Sequence, residues 1–162
     1  MADVLRRATV ITVSTRAAAG VYDDEAGPLL AEQLRSAGFT VNPVVVVPDG
    51  RDVVAAALRS ALPDADVVVT TGGTGLHPRD RTPEATRDVI EHTVDGMAEA
   101  MRAAALRITP MGMLSRGVAG VAQGTLIINL PGSPKGATEN LSVVLGVLGH
   151  AIDQLRGGDH PR

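Results

Sequence analysis

Short apolar runs rich in β-branched residues recur along this chain, each followed by a polar loop and, farther on, by a helical pattern. No other feature constrains the fold as much. A strand that is apolar throughout must be covered on both faces, and helices crossing between parallel strands supply that cover. ATVITVS (8–14), TVNPVVVV (40–47), DVVVTT (66–71) and TLIINL (125–130) read as strands, with Pro43 placing the first half of the second at an edge or entry position. Between them, GPLLAEQLRSAG sets Leu29, Leu30 and Leu34 on one helical face and stops at Gly38. GRDVVAAALRSAL carries a stripe of Val53, Val54, Ala57 and Leu58, with Asp49 placed to cap it. PEATRDVIEH predicts a helix capped by Thr82, with Pro83 in its first turn, running to a break near Asp95–Gly96. MAEAMRAAALRI predicts another that ends before Pro110. Leu141, Val144, Leu145, Leu148, Ile152 and Leu155 mark a long amphipathic helix near the C-terminus, and RGGDHPR reads as a frayed tail. The expected architecture is one three-layer α/β domain over residues 1–162, a mainly parallel sheet flanked by helices, without repeats or linkers.

This reading has a chemical consequence. In a parallel sheet the carboxyl ends of the strands share an edge, where ligands bind. Four polar loops follow the strands: Ser14 to Arg16, Pro48 to Gly50, Gly72 to Asp80 and Pro131 to Gly136. They are expected to face one crevice. Gly72, Gly73, Thr74 and Gly75 form a turn whose backbone N–H groups suit an anion such as phosphate. It is neither a dinucleotide fingerprint, because Pro78 stands where the last glycine belongs, nor a P-loop, because no Gly-Lys-Ser/Thr follows. A tight strand exit would need the same glycines. Asp80 and Asp49 offer hard carboxylate oxygens suited to Mg²⁺, although Asp80 also reads as a surface loop residue. Lys135 is the only lysine among fifteen basic residues and sits beside Ser133 in a glycine turn. It reads either as a phosphate contact or as a solvated charge. Arg79, Arg81 and Arg116 divide between phosphate ligands and ordinary surface arginines.

Other classes fall away. The chain has no cysteine, so thiolate metal sites and a cysteine nucleophile are excluded. Its four histidines, His77, His92, His150 and His160, are scattered, which argues against zinc, and Ser14, Ser115 and Ser133 have no evident His–Asp constellation. A net charge of −3 and nearly absent aromatics disfavour nucleic acid, and no stretch reads as a membrane span or a signal peptide, so the expected location is cytoplasmic. What survives is the positioning of phosphates, with a metal and without a covalent protein nucleophile.

TTGGTGLHPRDRTPEAT (70–86), LSRGVAGV (114–121) and INLPGSPKGATENL (128–141) together resemble the Mog/MoaB-type molybdopterin-binding family, which includes the G domain of gephyrin-like proteins. The likeness runs from the first strand to HAIDQL (150–155). It implies a compact α/β domain, commonly a homotrimer, that binds molybdopterin. Adenylyltransferase members use Mg²⁺ and ATP to adenylylate molybdopterin and release pyrophosphate, before a separate protein inserts molybdenum. The terminal phosphate of molybdopterin is then the nucleophile.

Carried over by motif, Gly72, Gly73, Thr74 and Gly75, with Ser14 and Thr82, line the nucleotide and pterin-phosphate site. Asp49 and Asp80 form the catalytic acidic pair, Asp49 as the Mg²⁺ partner and Asp80 orienting the pterin or its phosphate. Ser115, Arg116, Pro131, Gly132, Ser133, Pro134 and Lys135 complete the ligand surface. Relatives often carry Ser-Asp after the first strand, whereas here Ser14 precedes Thr15, which offers only a hydroxyl. Within the family, TPEAT and LPGSPKG resemble the adenylyltransferase type. The alternatives are a MoaB-like pterin carrier and, outside the family, a generic phosphate-binding α/β domain.

Overall fold

The computed structural model describes residues 4–158. His160 and the last four residues of the expected tail lie outside them. A seven-stranded sheet is built from β1 (Arg7–Val13), β2 (Thr40–Val41), β3 (Val45–Val47), β4 (Val67–Thr71), β5 (His92–Thr93), β6 (Ala119–Ala122) and β7 (Thr125–Leu130). β4 lies between β1 and β7, and all three run parallel. β6 and β5 extend the β7 side antiparallel.

The helices are α1 (Thr15–Ala18), α2 (Ala26–Ser36), α3 (Arg51–Ala61), α4 (Thr82–Val89), α5 (Asp95–Leu106) and α6 (Pro134–Leu155). Alternation within the strands distributes them between two layers. Val67 and Val69 of β4 join a core with Leu30 and Leu34 of α2, Met101 of α5 and Leu141, Leu148 and Ile152 of α6. Val68, between them, joins Val54 and Leu58 of α3 and Ala85 of α4 on the opposite face. Both faces of the central strands are therefore dry, which is why these runs are apolar without alternation.

Several expectations shift. TVNPVVVV is not one strand: β2 pairs with the start of β1 and β3 with its end, leaving Asn42 to Val44 unpaired between them. Pro43 has no N–H for a ladder, and the Asn42 side chain instead donates to Thr9 Oγ1 and Asp64 O. Leu29 and Val53 lie on the exposed side of their helices, where Ala31 and Ala55 take the buried positions. α4 stops at Val89, because the chain turns there to lay His92–Thr93 beside β6. α5 begins at Asp95, two residues before the expected start, and ends at Leu106. β6 and its tight return through Gln123 and Gly124, both with positive φ, were not expected from the sequence. Gly38 does follow α2 at φ +94°, as the expected C-terminal glycine.

Candidate functional site

β1, β3, β4 and β7 all end at the same edge, and their loops converge there. A cleft of about 610 Å³ is lined by Ser14, Asp49, Gly72, Gly73, Asp80, Gly132 and Pro134, which come from all four loops expected to meet. It is also lined by Tyr22, Asp23, Asp24 and Glu25, to which the sequence reading gave no role. The signal available was a triplet of acids beside the only tyrosine, on the connection that leaves β1. With Asp49 and Asp80, five carboxylate residues line this cleft, and among the described residues no basic side chain does.

The glycine turn is held from below. Gly72 and Gly73 have φ of +100° and +70°, and a Cβ on either would collide, with the Val13 carbonyl oxygen and with Thr82 Oγ1 respectively. Thr82 is not the cap expected of it. Arg81 is the N-cap residue and makes no side-chain cap bond. Thr82 instead donates its hydroxyl to Gly72 O at 2.9 Å and its amide to Gly73 O at 3.1 Å. Thr86 Oγ1 donates to Thr82 O, and the Asn129 amide donates to both Thr86 Oγ1 and Thr70 Oγ1. Thr70, Thr82 and Thr86 are fully buried, so a satisfied polar chain runs from β7 up to the turn. Gly72 N–H is taken by Leu130 O, whereas the N–H groups of Gly73, Thr74 and Gly75 have no protein acceptor among the described residues. Of these three residues Gly73 lines the cleft, where its free N–H suits an anion.

Asp49 does not cap α3, whose N-cap is Gly50 without a side-chain bond. Its Oδ2 accepts instead from Thr15 Oγ1 at 2.7 Å and Thr15 N at 3.2 Å, while its own N–H donates to Thr15 Oγ1 at 3.1 Å. The threonine hydroxyl thus clamps one oxygen of Asp49, and Oδ1 has no protein donor among the described residues. Ser14 Oγ caps α1 through Ala17 N and lies 2.9 Å from the Tyr22 hydroxyl. Asp80 Oδ2 accepts from His77 N at 3.1 Å.

Ser115, Pro131 and Ser133 line a second cavity, of about 520 Å³. Its wall is mostly apolar, from Met101 and Ala105 of α5, Ile108 of the connection after it, Met111 of a 3₁₀ turn at Pro110–Leu114, and Val143 of α6. The expected 131–136 loop is shorter, because α6 begins at Pro134; residues 131–133 and the start of α6 separate this cavity from the acidic cleft, giving Gly132 and Pro134 to one and Pro131 and Ser133 to the other. Ser133 caps α6 through Gly136 N at 3.1 Å. The Lys135 side chain is 82% exposed and lies 3.8 Å from the Glu139 carboxylate. Arg116 lines neither space: its guanidinium bonds Gly75 O, Asp80 O and Glu84. That partner holds the Glu84 carboxyl below the usual range, against the opposing effect of burial.

Residues 9–150 match a family model described as a probable molybdopterin binding domain. The chain is 39% identical over 154 residues to a molybdopterin adenylyltransferase of Helicobacter pylori, covering 91% of this chain and 86% of that one. It is 39% identical over 154 residues to a molybdenum cofactor biosynthesis bifunctional protein of Synechococcus elongatus. There the match covers 94% of this chain but 48% of the relative, so the chain spans about half of that protein's length. A solved structure of the molybdopterin biosynthesis enzyme MoaB from Thermus thermophilus superposes with a TM-score of 0.88 at 46% identity, covering 94% of this chain and 98% of that one.

Proposed function

Because the chain belongs to the molybdopterin-binding family of molybdenum cofactor biosynthesis, we propose that its two adjoining spaces bind two substrates and that it transfers AMP from ATP to the terminal phosphate of molybdopterin. One observation carries this reading: an acidic cleft and an apolar cavity meet at one loop on the carboxyl edge of the sheet. The cleft, with the free N–H of Gly73, suits the triphosphate. The apolar wall suits the pterin, with Ser115 and Ser133 at its polar end. A phosphate oxygen of molybdopterin attacks the α-phosphorus of ATP. As that P–O bond forms, the bond to the β-phosphate oxygen breaks and pyrophosphate leaves. The protein contributes position and field, with no covalent intermediate of its own.

Five carboxylate residues facing a polyphosphate would repel it without a cation. Among the described residues no group of three or more His, Cys, Asp or Glu is gathered closely enough to hold a metal alone. That donor set still fits Mg²⁺, which binds through one or two carboxylates together with substrate phosphates. When bound, it would neutralise charge on the ATP phosphates. Asp49 is the residue to hold it, because Thr15 occupies Oδ2 and leaves Oδ1 available. Asp80, across the cleft, orients the pterin phosphate. Gly132 and Pro134 shape the crossing between the spaces, and Lys135 reaches from its exposed position to a phosphate.

Exposed Leu106, Met113 and Leu114, with Val147 of α6, fit a homotrimer that covers them. Among the described residues no helix is long and apolar enough to cross a membrane. A cytoplasmic place beside the other steps of cofactor assembly, and hand-over to a molybdenum-inserting protein, belong to the same reading.

Incubation with molybdopterin, ATP and Mg²⁺ should release pyrophosphate and yield adenylylated molybdopterin. Normal pterin binding with no adenylylated product would instead identify a MoaB-like carrier.

A further inference from the structure

Residues 75–80 form a rim segment, exposed from Leu76 to Arg79, that ends at Asp80 in the wall of the acidic cleft. Their hydrogen bonds are of two kinds. His77 N to Asp80 Oδ2, Asp80 N to His77 O and Arg79 N to His77 Nδ1 lie inside the segment and give it shape. Only two bonds join it to the rest of the described chain, and both come from Arg116: Nε to Gly75 O at 2.9 Å, and Nη2 to Asp80 O at 2.8 Å. The third nitrogen, Nη1, bonds Glu84 in the first turn of α4, and the backbone N–H of Arg116 donates to Thr74 O at 2.8 Å. One side chain, contributed from 36 residues farther along the chain than Asp80, closes both ends of the rim and ties it to the helix that follows.

We propose that Arg116 is a positioning residue: it fixes the Gly75–Asp80 rim, and through it the place of the Asp80 carboxylate, without itself gripping phosphate. The proposal deepens the adenylyl-transfer reading and rests on it for the role of Asp80. Each guanidinium nitrogen already faces a protein acceptor, so a bidentate grip on a phosphate would have to draw those nitrogens away from the rim. The three acceptors also demand a planar fork. A lysine offers one point charge on a flexible stem and cannot serve them together.

The test combines two readouts on Arg116→Lys, Arg116→Met and Glu84→Gln. Hydrogen exchange of the peptide spanning 75–81, followed by mass spectrometry, reports the rim whether or not the protein transfers AMP. Exchange there should be about tenfold faster in both arginine variants, the factor expected when a charged hydrogen bond is lost. Protection in α6 should be unchanged. Steady-state kinetics should then show kcat lowered about tenfold or more, with KM for ATP held within about threefold, a split that a lost phosphate ligand would not give.

Unaltered exchange in Arg116→Lys combined with weakened ATP or pterin binding would overturn the proposal in favour of a direct ligand. Should Arg116→Met fail to fold, Glu84→Gln decides: its rim should loosen in part, and in Arg116→Lys/Glu84→Gln the two effects should be less than additive. Fully additive effects would overturn the proposal as well. If the wild-type protein transfers no AMP, the adenylyl-transfer reading fails, while the exchange result still decides whether Arg116 holds the rim.

Discussion

The two spaces on the carboxyl edge of the sheet are built from opposite materials. On the β1, β3 and β4 side, short polar loops leave the strands directly, and the cleft wall carries Asp23, Asp24, Glu25, Asp49 and Asp80. On the β7 side, α5, the Pro110–Leu114 turn and α6 close over the edge with Met101, Ala105, Ile108, Met111 and Val143. The first side can order charged groups and water, and the second can shelter an aromatic ring. A reaction that joins a nucleotide phosphate to a pterin phosphate needs both, side by side, with phosphates meeting at the boundary. In the proposed reaction, residues 131–133 and the start of α6 are that boundary.

The largest expected effect falls on the acidic side. Asp80→Asn and Asp49→Asn conserve shape and should leave the melting temperature close to wild type while lowering kcat by about 10²-fold or more. For Asp49→Asn the loss should be deepest at low Mg²⁺. Unchanged turnover in either variant would remove that carboxylate from the mechanism, and the cleft would then be acidic for some other reason.

The apolar side should respond differently. Val143 lines the second cavity and is partly exposed, so a larger ring there can fill the space without disturbing the core. Val143→Trp should raise KM for molybdopterin by about tenfold, while the affinity for ATP stays put. If ATP binding suffers equally, the two spaces are one site, and the division drawn between them is wrong.

Thr15 tests a finer point on the acidic side. Its hydroxyl makes two of the three bonds between residues 15 and 49. Thr15→Val keeps the volume and loses both, so the Mg²⁺ concentration for half-maximal rate should rise about threefold to tenfold, with rescue in Thr15→Ser. Binding of Mn²⁺ with a non-hydrolysable ATP analogue, followed by electron paramagnetic resonance, should weaken in the same order. An equal loss in the serine and valine variants would count against the clamp.

The two sides also differ in how far the sequence announces them. The four strand-end loops are contiguous in sequence with the strands that place them, so Asp49, Gly72, Gly73, Asp80 and Gly132 reach a common cleft as element order predicts. The second cavity depends on how α5 and α6 pack together, which a local pattern does not encode. β6 escaped for a related reason. AGVA is short and three of its four residues are Ala or Gly, so it lacks β-branched weight and is a strand only because β7 pairs with it. Thr82 shows a subtler limit. Its place before Pro83 carries the signature of a cap, but capping serves an otherwise unpaired helix N–H, and here the buried Gly72 carbonyl takes the hydroxyl instead. The same holds for Asp49, whose nearest donors come from Thr15 at the start of α1.

The smallest effect separates the rim from the cleft beneath it. The Arg116 hydrogen bond, with help from the Glu84 backbone amide and the charges of Arg116 and Arg81, outweighs burial and lowers the Glu84 carboxyl from its ordinary value of 4.5. A carboxyl depressed by folding stabilises the native state fully above its unfolded value, and that contribution fades as pH falls through the lower folded value. Wild type should therefore melt a few degrees above Glu84→Gln from neutral pH down to about pH 5. Below about pH 4.5 the gap should narrow, as Glu84 takes up a proton and comes to resemble the glutamine. A gap that stays constant down to pH 3 would mean that the charge of Glu84 contributes nothing to stability, and that the rim is held without an ion pair at Arg116.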